Sequence, residues 1–412
     1  MSRGRLLVSL DWGDGQERSV AQLGWDPGAR QVVAEWDRTF TGDPLPLSPL
    51  LVRQPQGLLR PRGRAFGDLP GLFGDSLPDG WGRLLIDRNL AARGRARTDI
   101  TDLDRLAMVG TGGMGALVYR PEEAPDAAED ISLDWFDRLV PTVGEDTSAD
   151  DLERLRMMAG GSQGARPKFV AQLSDDGTRL RDHRLPLMPS WRAVLIKRRA
   201  VNDAPGAAEA EAAYATMARA AGVEMMPTGL LHARSGEAFF VTDRFDRMEG
   251  RRLHVQTVAA LLDVDFRTAT LDYAELLKLV RVMTRDQRAV EQMFRRMVFN
   301  IRAQNRDDHL KNFSFVMDQA ETWRLAPAYD ISFSNGPGGE HTLTVAGEGR
   351  HPGATEIQTV GTQSGLKPAR IAEIISEVDT TLLNWPHFAE EATVPPDLSR
   401  GIAGELAEAR RW

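Results

Sequence analysis

The chain contains no cysteine in its 412 residues. That absence excludes disulfides, thiolate metal sites and cysteine nucleophiles, and it fits a reducing, cytoplasmic setting. No run of about 18 apolar residues occurs, so neither a spanning helix nor a membrane partner is expected. The apolar stretch at residues 6–10 ends at Asp11 and is too short for a signal-peptide core. Charge of one sign does not dominate either: 51 basic residues against 59 acidic ones give a net charge of −8. This excludes a strongly basic nucleic-acid binder and a disordered acidic chain, and leaves a local basic patch open. What remains is 42% hydrophobic and 27% charged. That is the balance of a globular chain of about two to three domains.

Roughly the first 120 residues are rich in Gly, Pro, Trp and Arg. Alternating stretches at residues 5–10 and 31–36 predict strands, broken by Gly-Asp-Gly, Asp-Pro-Gly and Gly-Asp-Pro turns. Residues 78–92 predict a helix with Trp81, Leu84, Leu85 and Leu90 inward. Two acidic stretches short of large apolar residues, 121–130 and 141–151, mark a first boundary; the division expected is 1–125, 126–250 and 251–412. Strand-like runs follow at 169–173, 193–197 and 238–242, with an Ala-rich helix at 207–221 stopped by Gly222. Beyond Arg251 helices dominate. Val290, Met293, Phe294, Met297, Val298 and Ile301 recur at helical spacing and read as core, not as a cofactor box. The second half therefore reads as a small strand-rich lobe followed by a helical lobe, an arrangement whose clefts commonly hold ligands.

The densest polar segment is Asn305-Arg306-Asp307-Asp308-His309-Leu310-Lys311-Asn312, directly after that apolar helix. Downstream, a run from Leu325 ends on Asp330 and reads as a short strand carrying a carboxylate. Phosphoryl transfer needs a carboxylate to accept the hydroxyl proton, an Asn and a second Asp for Mg²⁺, and a Lys for phosphate charge. Asp307 and Asn312 reproduce the Asp-x4-Asn interval of a kinase catalytic loop. Two other readings stand beside this one: a solvated helix-to-strand turn, and a hydrolytic metal centre built from Asp307, Asp308 and His309. Residues 159–168, with Gly160, Gly161, Ser162, Gln163 and Gly164 ahead of Arg166 and Lys168, form a plausible phosphate cradle. Lys197 ends a strand, and Glu209 or Glu211 on the next helix could pair with it. The Gly110-Thr111-Gly112-Gly113-Met114-Gly115 stretch has dinucleotide-loop spacing. A helix-like segment precedes it and a strand-like one follows, the reverse of the required order, so that site is rejected.

Four motifs in order carry a resemblance: residues 74–83 (Gly-Asp-Ser-Leu-Pro-Asp-Gly-Trp-Gly-Arg), residues 164–168 (Gly-Ala-Arg-Pro-Lys), residues 242–247 (Thr-Asp-Arg-Phe-Asp-Arg), and 305–312 with Tyr329-Asp330. Along nearly its whole length the chain resembles the HipA-type toxin kinases of bacterial toxin–antitoxin systems. The resemblance implies an α+β fold, with a small β-rich N-terminal domain before a bilobal protein-kinase-like (PI3/4-kinase-like) core whose C-terminal lobe is mostly helical. It implies a serine/threonine protein kinase using ATP and Mg²⁺. Asp307 would be the catalytic base, Asn312 and Asp330 the Mg²⁺ ligands, and Lys197 the phosphate contact. His309 and Tyr329 would line the nucleotide site, and Asp243 and Phe245 would lie at the hinge beside adenine. The family's targets are typically aminoacyl-tRNA synthetases. Its partner is a small helix-turn-helix antitoxin (HipB-like) that carries the complex to DNA, so an alternative reading is a kinase-like corepressor.

Two departures from the family pattern stand out. Residues 156–159 (Arg-Met-Met-Ala) carry no hydroxyl where some members have an autophosphorylated serine, which leaves Ser162 as the nearby candidate. The small residue usual after the catalytic Asp is Asp308 here, a second negative charge.

Overall fold

The computed structural model describes residues 4–122, 130–144, 147–161 and 164–411. The strand pairs of the two large sheets whose register is described are antiparallel and helices are grouped apart from them, which makes the class α+β. The chain divides into two compact units. The first comprises Met1–Val201, Leu231–Asp265 and Phe315–Thr322; the second comprises Asn202–Leu230, Phe266–Ser314 and Trp323–Trp412.

The first unit holds two large sheets and a short hairpin of Arg247–Met248 with Arg251–Arg252. In the N-terminal one, Leu58–Leu59, Gln31–Trp36, Glu17–Asp26, Leu6–Asp11 and Leu117–Arg120 lie side by side in that order. Leu6, Val8 and Leu10 face inward while Leu7 is exposed, the period-two pattern of a half-buried strand. The second sheet contains Leu180–Asp182, Lys168–Ser174, Trp191–Arg198 and Ala238–Asp243. The helices Gly80–Ala92 and Ala149–Ala159 share a core with it through Trp81, Leu85, Leu155 and Met158 against Phe169 and Phe239. Phe136 packs its ring 4.5 Å from that of Phe169 and 6.1 Å from that of Phe239.

One inward assignment is corrected. Leu84 is 40% exposed, and Ile86 is buried along with Trp81, Leu85 and Leu90. At about 100° per residue, positions 81, 85, 86 and 90 span one half of the helix and position 84 falls on the other. Leu85→Ala should therefore cost about 2–5 kcal/mol in denaturant unfolding, with Leu84→Ala within about 0.5 kcal/mol of wild type. Equal costs at the two positions would contradict this orientation.

The second unit is mainly helical. The helix Gln287–Arg302 runs through it with Val290, Met293, Phe294, Met297, Val298 and Ile301 all fully buried, as their spacing predicts. Around it lie Ala207–Ala220, Tyr273–Thr284, Ala354–Gln363, Pro368–Leu382, Trp385–Glu391 and Pro396–Ala409. Gly222 adopts φ +79° and the Val223 N–H reaches back to the Ala218 carbonyl at 2.9 Å, the predicted glycine stop. Among the described residues no helix is long and apolar enough to cross a membrane.

Candidate active site

The helix Gln287–Arg302 delivers the polar segment of the second unit. Gln304, at φ +55°, breaks the helix, and the Asn305 N–H returns to the Asn300 carbonyl at 2.9 Å. The helix end is pinned from several sides. Tyr214 donates its hydroxyl to the Ala303 carbonyl at 2.8 Å, and Arg302 donates to the Ala409 carbonyl at 2.9 Å. From Met293 to Met317 every residue is buried except Asp307, which is exposed, and His309, which is half-buried. A solvated turn would expose most of its polar residues, so that reading fails.

The spacing of Asp307 and Asn312 has a direct geometric result. Asn312 Nδ2 donates to the Asp307 carbonyl at 2.7 Å, closing the loop on itself. Because the acceptor is a carbonyl, the amide nitrogen must face it, which leaves the Asn312 oxygen as the end able to ligate a hard cation. Tyr329, which precedes Asp330, is anchored to the same loop: its hydroxyl donates to the Lys311 carbonyl at 2.7 Å and lies 2.5 Å from Ser314 Oγ. Asp330 follows in a left-handed conformation, φ +56°. The strand expected at 325–330 is shorter; it ends at Leu325, and Ala328 forms only an isolated bridge to Met225. Pro327 has no N–H to continue a ladder.

His309 Nε2 lies 3.8 Å from Asp307 Oδ1, while its Nδ1 is enclosed without a hydrogen-bond partner. Its ring packs 4.8 Å from that of Phe266, which also lies under the Lys311 ammonium at 5.0 Å. Phe266 was not legible in the sequence, because a lone aromatic after an acidic turn carries no periodic signal. The hydrolytic metal centre is overturned. Asp308 is turned away into the protein interior, accepting hydrogen bonds from Tyr273 and from His341. Among the described residues no group of three or more His, Asp or Glu side chains is placed to hold a metal ion.

The first unit carries the other candidate residues. Gly160 caps the Ala149–Ala159 helix, and the chain then passes to the strand Lys168–Ser174. Ser162 and Gln163 lie outside the described residues. A Cβ on Gly161 would sit 2.8 Å from the Gly113 Cα, and one on Gly164, at φ +103°, would strike the Lys168 ammonium, so both positions require glycine. Lys168 and Lys197 are buried and stand directly opposite each other on neighbouring antiparallel strands. The two side chains thus place a pair of cationic groups at one cross-strand position. The Lys197 ammonium also lies 5.5 Å from the ring of its other cross-strand neighbour, Phe240. Glu211 is buried and Glu209 half-buried on the Ala207–Ala220 helix of the second unit. Asp243 ends its strand paired to Arg192 at 2.5 Å, and burial raises its carboxyl despite that partner. Phe245 is half-buried next to it.

Other residues of the 74–83 and 242–247 motifs hold the architecture together. Asp246 is fully buried between Arg244 at 2.8 Å and Arg247 at 2.6 Å, and it accepts the Gly115 N–H at 2.7 Å. Burial alone would raise this carboxyl; the two guanidinium groups hold it well below the usual carboxylate range. Arg247 and Arg252 also donate to the Gly115 carbonyl at 3.0 Å, and Arg247 donates to the Gly113 carbonyl at 3.0 Å. The rejected dinucleotide stretch is thus clamped in place, with the helix Asp102–Val109 before it and the strand Leu117–Arg120 after it. In the first motif, Asp75 accepts the Thr257 N–H and hydroxyl at 2.7 Å each, and the Trp81 N–H approaches the Gly164 carbonyl at 3.4 Å. His183 was also missed. It sits against Gly112 and Gly160, and burial pushes it down to about 3, so it adds no charge there.

Fold and site together define a two-unit α+β chain with a glycine loop and paired lysines in one unit and an enclosed loop presenting a single carboxylate in the other. The sequence matches the HipA-like C-terminal domain family over residues 160–385 and the HipA N-terminal domain family over residues 15–120. The chain belongs to the HipA family. It is 28% identical over 301 residues to a Sinorhizobium fredii protein named "Putative kinase Y4mE", covering 70% of this chain and 68% of that one. Its structure matches a chain from the Shewanella oneidensis MR-1 toxin–antitoxin complex of HipA, HipB and operator DNA with a TM-score of 0.69 and 15% identity. That match covers 98% of this chain and 95% of the other, and it establishes the fold.

Proposed function

We propose that the chain is an ATP- and Mg²⁺-dependent serine/threonine protein kinase. The observation that carries this reading is the loop 305–312, enclosed throughout except where it presents Asp307 and, in part, His309. The oxygen donors of Asn312 and Asp330 suit Mg²⁺, which takes few protein ligands and shares substrate phosphates. The facing Lys168 and Lys197 suit a polyphosphate. Bound ATP with Mg²⁺ supplies the phosphoryl group and neutralises charge on it. In this reading Asp307 accepts the proton of the acceptor hydroxyl, and Asn312 holds the backbone from which Asp307 projects. Lys197 and Lys168 stabilise phosphate oxygens; the glycine loop, Asp243, Phe245, His309 and Tyr329 line the nucleotide.

The S. fredii relative's kinase name supports this class, and the S. oneidensis complex supports a helix-turn-helix, HipB-like antitoxin as partner. A net charge of −8 disfavours direct DNA binding, so the antitoxin would carry any complex to its operator. The proposed target is a translation-related protein such as an aminoacyl-tRNA synthetase. Incubation with terminally labelled ATP, Mg²⁺ and cell extract should label protein serine or threonine, and Lys197→Met should reduce the rate roughly 100-fold. Equal labelling by wild type and Lys197→Met would remove Lys197 from the mechanism. Nucleotide binding without any transfer would favour the corepressor reading.

A further inference from the structure

Asp308 directly follows the proposed base, and the two carboxylates have opposite environments: the Asp307 side chain is 53% exposed and that of Asp308 is fully enclosed. Asp308 Oδ2 accepts from the Tyr273 hydroxyl at 2.8 Å and from His341 Nδ1 at 3.0 Å. Oδ1 accepts the backbone N–H of Thr342 at 2.8 Å and of Leu343 at 3.4 Å. A carboxylate only accepts, so the His341 nitrogen facing it carries the proton.

The bonding returns to the loop. Asn300 Nδ2 donates to the Tyr273 oxygen at 3.0 Å, and Asn305 Nδ2 donates to Asn300 Oδ1 at 3.0 Å. Thr342 adds a hydroxyl bond to the Arg306 carbonyl at 3.2 Å, and the Arg306 N–H donates to the Ser334 carbonyl at 3.3 Å. Residues 334 and 341–344 all belong to the stretch that follows Asp330. Asp308 thus ties the loop that would carry the base to the backbone at Thr342 and Leu343, further along the chain from Asp330.

We propose that Asp308 is a positioning residue for phosphoryl transfer, latching the 305–312 loop to residues 341–343 and so fixing the direction of Asp307. This rests on the kinase reading above. Its physical basis is the cost of the alternative. Without the carboxylate, two backbone N–H groups, a tyrosine hydroxyl and an imidazole N–H are left enclosed without their acceptor, and the two segments lose their common anchor.

The test uses the full chain as wild type, Asp308→Ala and Asp308→Asn, with steady-state transfer kinetics and amide hydrogen exchange at Thr342 and Leu343. Asp308→Ala should lower kcat roughly 10- to 100-fold with the KM for ATP within about twofold, and should speed the two amides about tenfold. Asp308→Asn keeps an oxygen for both amides and should recover most of kcat. A merely structural role would lower the thermal midpoint without splitting kcat from KM. Unchanged kcat in a folded Asp308→Ala protein, or kcat and KM failing together with Asn no better than Ala, would overturn the proposal. If Asp308→Ala does not fold, Tyr273→Phe, which removes one donor to the Asp308 carboxylate, decides: faster exchange with reduced kcat at constant KM supports the latch, and wild-type values in both overturn it. A wild-type chain that transfers no phosphate to any acceptor strikes the kinase reading, while protected amides at 342 and 343 still report the latch.

Discussion

Replacement of Asp307 by Asn lowers phosphate transfer roughly 100- to 10,000-fold and leaves nucleotide binding close to wild type. In the proposed mechanism the carboxylate takes the acceptor's proton, and an amide of the same shape cannot. The fold should not suffer, for two reasons visible in the loop. The Asp307 side chain is 53% exposed, and Asn312 is held by the Asp307 backbone carbonyl instead of its carboxylate. Single-turnover transfer from labelled ATP, with calorimetric nucleotide titration beside it, separates the two quantities. Loss of both binding and transfer would point to a collapsed loop, and retention of both would remove Asp307 as the base.

The largest effect on stability is expected at Asp246. Asp246→Asn leaves Arg244 and Arg247 in the interior without their counter-charge and should cost about 3–5 kcal/mol in denaturant unfolding. The same carboxylate gives the fold a pH dependence with a definite sign. Its folded value is held below that of an unfolded aspartate, about 3.9, so it favours folding fully above that pH and loses the contribution as the solution is acidified further. The thermal midpoint of wild type should therefore fall as pH drops through about 4, and Asp246→Asn should flatten that part of the profile. A variant within about 1 kcal/mol of wild type would show that the arginines find other partners.

Much of this architecture is readable from local pattern. Strand alternation in Gln31–Trp36, the buried stripe of Gln287–Arg302 and the Gly222 stop each follow from residues a few positions apart. The Asp307–Asn312 interval is local as well, but the bond from Asn312 to the Asp307 backbone carbonyl is not predicted by it. What the pattern misses depends on distant partners. Lys168 and Lys197 are each visible as charges at strand ends, but their facing register is set by sheet pairing across 29 positions. Asp308 looks like excess charge until His341, Thr342 and Leu343, more than 30 residues on, bring their donors to it. Leu84 misleads because hydrophobicity alone cannot say which half of a helix faces inward. The Thr242–Arg247 motif reads as a nucleotide hinge by resemblance, yet its Asp246 is spent on holding the Gly113–Gly115 turn.

The central claim is that Asp307 drives phosphate onto a protein hydroxyl. The most direct measurement is quantitative mass spectrometry of phosphosites in cells expressing either wild type or Asp307→Asn at matched levels. The account predicts serine or threonine sites on a defined protein that appear with wild type and are absent with Asp307→Asn. The same sites at equal occupancy with both proteins, or no new site with either, would contradict it.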